Sequence, residues 1–117
     1  MARITDESIK LNQPKLCKDP NIYYFIYSWM NFIDLTYAQR NIFAYIYSYL
    51  KNHNEFYVSN MTISQITNIH PDQVSRELKA LVNKELIIKD KNDDDKTTYS
   101  INYSKVQSLI DSVQKIN

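Results

Sequence analysis

The chain has 117 residues, 44% of them apolar, and a formal net charge of +1, enough for one hydrophobic core and too balanced to be a strongly basic or acidic partner-binder. It contains no glycine, which excludes phosphate-cradling loops, dinucleotide fingerprints and nucleophile elbows, since each needs glycine where the backbone turns sharply or approaches a ligand. Cys17 is the single cysteine, and His53 and His70 are the two histidines, so neither an internal disulfide nor a clustered zinc ligand set can be assembled.

The first residues, Met1-Ala2-Arg3-Ile4-Thr5-Asp6-Glu7, lack the basic-then-apolar order of a signal peptide. Residues 1–18 read as an arm containing Pro14, with a short extended piece at Ile9-Lys10-Leu11. A single domain is expected over 19–117. Asp19-Pro20 has the form of a helix cap followed by proline at the first helical position, and predicts a helix to about Ile33. Tyr23, Phe25, Ile26, Tyr27, Trp29, Met30, Phe32 and Ile33 surround that helix with apolar groups, which suits a central core helix or a dimer interface. Ser28 and Asn31 keep this stretch well short of the roughly 18 uninterrupted apolar residues of a membrane span. The expectation is a cytoplasmic protein.

Thr36 and Gln39 have the spacing of a capping box, and Ala38, Ile42, Tyr45, Ile46, Tyr49 and Leu50 recur at three- and four-residue steps, predicting a second helix to about Lys51. After the polar break Asn52-His53-Asn54-Glu55 comes a candidate strand, Phe56-Tyr57-Val58. Thr62 and Gln65 repeat the capping-box spacing and start a short helix with Ile63 and Ile66 inward. Asn68 tolerates the left-handed conformation needed for a tight turn, and His70 then caps a helix with Pro71 at its first position. Val74, Leu78, Leu81 and Val82 form that helix's buried face, while Asp72, Gln73, Arg76, Lys79 and Asn83 point away.

Leu86 to Asp90 and Thr97 to Tyr103 read as the strands of a hairpin, with Tyr99, Ile101 and Tyr103 on one side. The charged loop Lys91 to Lys96 joins them. Ser104 caps a last helix with Val106, Leu109, Ile110, Val113 and Ile116 as its stripe. The fold class is mainly α with a small β-hairpin: a helix-turn-helix at 62–84, a wing at 86–103 and a C-terminal helix at 104–116, with extra helices before it.

The run from Thr62 to Ile87 resembles the winged helix-turn-helix module of bacterial regulators. It has a short helix with two aliphatics three apart, a tight turn, a capped helix reading Val74-Ser75-Arg76-x-Leu78-x-x-Leu81, and an aliphatic pair opening the wing. With the hairpin the resemblance covers about 40 residues, roughly a third of the chain. Upstream, Trp29-Met30 and the run Ile42 to Tyr47 are similar to the helices before this module in replication-initiation proteins of phages and plasmids from low-GC bacteria. The excess of Lys over Arg, 11 to 3, agrees with an AT-rich genome. Multiple-antibiotic-resistance-type repressors share the element order and dimerise through terminal helices. Two positions depart from the pattern: Asn68 and Glu85 stand where glycine is usual. The wing tip, Asn92-Asp93-Asp94-Asp95, offers carboxylates where a phosphate-gripping wing offers Lys or Arg.

The resemblance implies sequence-specific binding of double-stranded DNA, in transcription or replication initiation, by a homodimer joined through the N-terminal aromatic helix, the C-terminal helix, or both. The helix from Pro71 would enter the major groove, with Gln73 positioned for adenine, Arg76 for guanine, and Ser75 or Lys79 for phosphate. Thr62, Lys89 and Lys91 complete the candidate contacts. The alternative is a winged-helix adaptor or inhibitor that docks a protein through the acidic wing and aromatic segment. Neither reading requires a cofactor or metal, and no nucleophile, base and orienting group suggest an enzyme.

Overall fold

The structure, a computed structural model, describes residues 21–91 and 96–116, the side chain of Ile116 excepted. The predicted arm, the Asp19-Pro20 cap and the acidic wing tip lie outside these residues.

Helix α1, Tyr37–Leu50, is the centre of the molecule. Thr36 starts it with a complete capping box: the Thr36 hydroxyl accepts from the Gln39 N–H, and the Gln39 side chain accepts from the Thr36 N–H. Two otherwise unmet backbone donors are satisfied. Buried residues run almost continuously from Ala38 to Tyr47, and Ile42, Phe43, Ala44 and Ile46 have no solvent exposure. Each of the larger of these side chains contributes on the order of 2 kcal/mol by leaving water.

The helix expected to end near Ile33 does not form over the described residues. Residues 22–27 carry no regular secondary structure, and a 3-10 helix follows at Ser28–Phe32. The cause is visible in the composition: Ile22, Tyr23, Tyr24, Phe25, Ile26 and Tyr27 are β-branched or aromatic, which lose rotamer freedom in a helix. The segment lies along α1 instead. The Phe25 N–H donates to the Ser48 hydroxyl at 3.0 Å, and the Tyr24 hydroxyl donates to the Asn41 side-chain oxygen at 2.8 Å. Met30 alone of the 3-10 helix is fully buried.

Helix α2, Asn60–Thr67, begins earlier than its predicted start at Thr62. Ser59, not Thr62, is the cap, its hydroxyl accepting from the Thr62 N–H at 3.1 Å. Asn68 ends α2 at φ 59°, ψ 41°, the left-handed conformation expected of it. His70 then caps helix α3, Pro71–Asn83, by accepting from the Asp72 N–H through Nδ1, with Pro71 at the first helical position. Ile63 from α2 and Val74, Leu78 and Leu81 from α3 close over α1.

Helix α3 ends in a Schellman motif. The Leu86 N–H donates to the Leu81 carbonyl at 3.1 Å and the Glu85 N–H to the Val82 carbonyl at 2.9 Å. The buried pair Leu81 and Leu86 supplies the apolar contact of that motif. Glu85 occupies its left-handed position at φ 64°.

Strands β1, Ile87–Lys91, and β2, Thr97–Ile101, pair antiparallel with Ile87 opposite Ile101 and Lys89 opposite Tyr99. The expected strand at 56–58 is reduced to one bridge, Phe56 with Tyr99, in which the Tyr99 N–H donates to the Phe56 carbonyl at 3.1 Å. The side chains still alternate as a strand's would, Phe56 fully buried, Tyr57 exposed and Val58 packed partly against the core.

Tyr103 belongs not to the wing but to helix α4, Tyr103–Ile116. Asn102 rather than Ser104 meets the first turn of α4, its side chain accepting from the Lys105 N–H at 3.3 Å. Val106 on α4 is buried, and Leu109 and Ile110 pack partly against the core. Among the described residues no helix is long and apolar enough to cross a membrane.

Candidate nucleic-acid interface

Helix α3 is strongly two-sided because Val74, Leu78 and Leu81 fall on one face and charged residues on the other. Asp72, Arg76, Lys79 and Asn83 are exposed, as the spacing predicts, and so is Ser75. Arg76 and Lys79 have no hydrogen-bond or ion-pair partner among the described residues. Both side chains stand toward solvent, on the same outward face as Asp72. Gln73 differs from its expected placement. It is half-buried, and its Nε2 donates to Glu77 Oε2 at 3.4 Å.

A cleft of about 490 Å³ opens between α3, the start of α2 and the wing. Ser59, Asn60, Ser75, Lys79, Lys89 and Tyr99 line it. The fold therefore brings Ser75, Lys79 and Lys89 into one concavity, with hydroxyl, amide and ammonium groups suited to an anionic backbone. Thr62 is not among the lining residues. It is half-buried in the first turn of α2, where its hydroxyl accepts from Ser59 Oγ at 2.9 Å. Lys91 is exposed at the end of β1, opposite Thr97.

Lys96, just before the second wing strand, ties the wing to the segment before α2. Its ammonium lies 2.9 Å from Glu55 and 4.5 Å from the centre of the Tyr57 ring. Burial pushes the Tyr99 phenol above its ordinary value.

Behind α3 is a polar set that lies off its apolar stripe. Gln39, 7% exposed, accepts through Oε1 from the Thr36 N–H at 3.2 Å and from Lys84 Nζ at 2.8 Å. Its Nε2 donates to Glu77 Oε1 at 3.3 Å. Lys84 also donates to the Asp34 carbonyl. The sequence signal was the four-residue step from Gln73 to Glu77, which puts amide and carboxylate on one helix flank. Among the described residues no group of three His, Cys, Asp or Glu side chains is placed to hold a metal ion.

The architecture of a helix-turn-helix followed by an antiparallel hairpin is that of a winged helix. Residues 34–87 match a family described as helix-turn-helix domain. No curated protein matches the chain in sequence. Among solved structures, the fold is similar to that of MepR, a transcription regulator of the Staphylococcus aureus multidrug efflux pump MepA. That similarity has a TM-score of 0.52 and 19% identity, over 71% of this chain and 58% of that one. A point mutant of S. aureus MepR gives a TM-score of 0.54 at 19% identity, covering 74% of this chain and 61% of the other. S. aureus MepR bound to ethidium bromide gives 0.50 at 18% identity, covering 72% and 63%. The chain thus spans about three fifths of the length of the structures it matches.

Proposed function

We propose that the chain binds double-stranded DNA sequence-specifically through α3, as a homodimer that regulates transcription in the cytoplasm. The observation that carries this reading is the outward face of α3, where Arg76 and Lys79 are exposed, with no ion pair among the described residues, beside a cleft that adds Ser75 and Lys89. A major groove admits one helix, and residues near its N-terminus reach base edges. Arg76 presents a planar fork suited to guanine O6 and N7. Lys79, Lys89 and Ser75 lie where backbone phosphates would pass, so the stem of the wing contributes to binding. The match of residues 34–87 to a helix-turn-helix domain supports the reading, as does the likeness to a transcription regulator. A role in replication initiation is favoured by no observation beyond the upstream resemblance.

The test is a titration against a library of double-stranded fragments at two salt concentrations. The expected result is selective binding that weakens steeply with salt, with Arg76→Ala reducing affinity by about tenfold and relaxing preference at one base pair. Absence of binding above background at low salt would sink the DNA reading and leave a protein-docking winged helix in its place.

A further inference from the structure

We infer that Gln73 is held in one amide orientation by a polar chain running from Lys84 through Gln39 and Glu77, and that this presets it to read adenine. The inference rests on the DNA-binding reading of α3. Each orientation along the chain follows from what the neighbour can offer. Lys84 and the Thr36 N–H are donors only, so Gln39 turns Oε1 toward both, at 2.8 and 3.2 Å. Its Nε2 is thereby left for Glu77 Oε1, at 3.3 Å.

An ionised carboxylate only accepts, so Gln73 must also turn its NH2 toward Glu77, which it does at 3.4 Å. One N–H of Gln73 is thus spent on Glu77. Among the described residues Oε1 and the second N–H have no partner, which leaves an acceptor beside a donor. Adenine presents the complement in the major groove: N6 donates and N7 accepts. A freely rotating glutamine would offer that pattern only in some of its orientations. Guanine presents two acceptors, O6 and N7, and satisfies only half of the set.

Glu77 and Gln39 are therefore positioning residues. Gln39 is buried and Glu77 half-buried, and Gln39 is anchored on the capping box of α1, so the orientation is fixed from the core outward.

The experiment is selection from randomised duplexes by the full chain, compared with Gln73→Ala, Glu77→Gln and Glu77→Lys, with a salt titration and thermal midpoint for each. The expected wild-type result is an adenine preference of about tenfold at one position per bound copy, lost in Gln73→Ala. Glu77→Gln frees the amide to flip and should reduce the preference severalfold without changing the salt slope. Glu77→Lys puts a donor where the acceptor stood and turns the Gln73 NH2 outward. The preference should then move from adenine toward guanine. Selective binding by the wild type with no preference that depends on Gln73 would overturn the inference and leave the DNA reading intact. So would Gln73-dependent adenine preference unchanged in both Glu77 variants. Failure of the wild type to bind any duplex would overturn both.

Discussion

Glu85 is the position where side-chain identity and backbone disagree most. A non-glycine residue in the left-handed region sets Cβ against a neighbouring carbonyl at a cost of about 1–2 kcal/mol, and glycine avoids that while adding about 0.5–1 kcal/mol of chain entropy to lose. Glu85→Gly should therefore stabilise the fold by about 0.5–1 kcal/mol, read as a higher urea midpoint with an unchanged slope. Asn68 has the same backbone need and a side chain that tolerates it, so the gain there should be smaller. Two phenols add a pH dependence. Burial raises Tyr24 and Tyr99 above the ordinary value of 10.0, with the nearby Tyr37 adding to the effect at Tyr24. The sign follows from which state ionises first: the unfolded chain loses these protons at lower pH than the folded one. Their contribution is complete below about pH 10 and is lost as pH rises through the folded values. Tyr99→Phe should make the alkaline fall in stability shallower than in the wild type, measured by denaturant melts across about pH 9 to 11.

The caps decide where the helices begin, and most of them were readable because each depends on a local pair of groups. The Thr36 and Gln39 box, the Asn68 turn and the His70-Pro71 start all form as their spacing requires. The start of α2 was misread since Thr62 and Gln65 repeat the box spacing, yet Ser59 sits one turn earlier and takes the Thr62 N–H. Ser59→Ala should cost about 1 kcal/mol by thermal or urea melts, with Thr62→Ala costing less. An equal or greater loss from Thr62→Ala would return the cap to its predicted place. Periodicity failed at residues 22–33 for a different reason. An apolar residue at nearly every position carries no direction, so the aromatic stretch fits a buried helix and an extended strap equally, and only the docking of Phe25 on Ser48 and Tyr24 on Asn41 decides. The outward residues of α3 were legible from the stripe opposite them. Gln39 and Lys84 were not, because their meeting across 45 positions is a product of packing.

An uncovered apolar surface joins the 3-10 helix to α4. Phe32 is 72% exposed, and beside it a groove of about 370 Å³ runs between the 3-10 helix, Leu86 and the Leu109 and Val113 face of α4. Among the described side chains of the α4 stripe only Val106 is buried, although that stripe carries the spacing of a core-facing helix. A second copy related by a two-fold axis would set groove against groove and cover Phe32 from both sides, since an isologous contact uses the same patch twice. The same axis would present two α3 helices to successive turns of a duplex, the geometry in which helix-turn-helix dimers read paired half-sites. A stable pair needs about 800 Å² buried per copy, so Phe32 alone is insufficient and the α4 stripe must take part. Sedimentation at tens of micromolar protein should accordingly give twice the chain mass. Phe32→Glu should yield a monomer with unchanged helical circular dichroism, because that side chain is exposed within one copy and would be buried only between two. It should also weaken binding to a two-half-site duplex far more than to a single half-site. A native chain that sediments as a monomer at micromolar concentration would remove the dimer, and each α3 would then have to bind DNA alone.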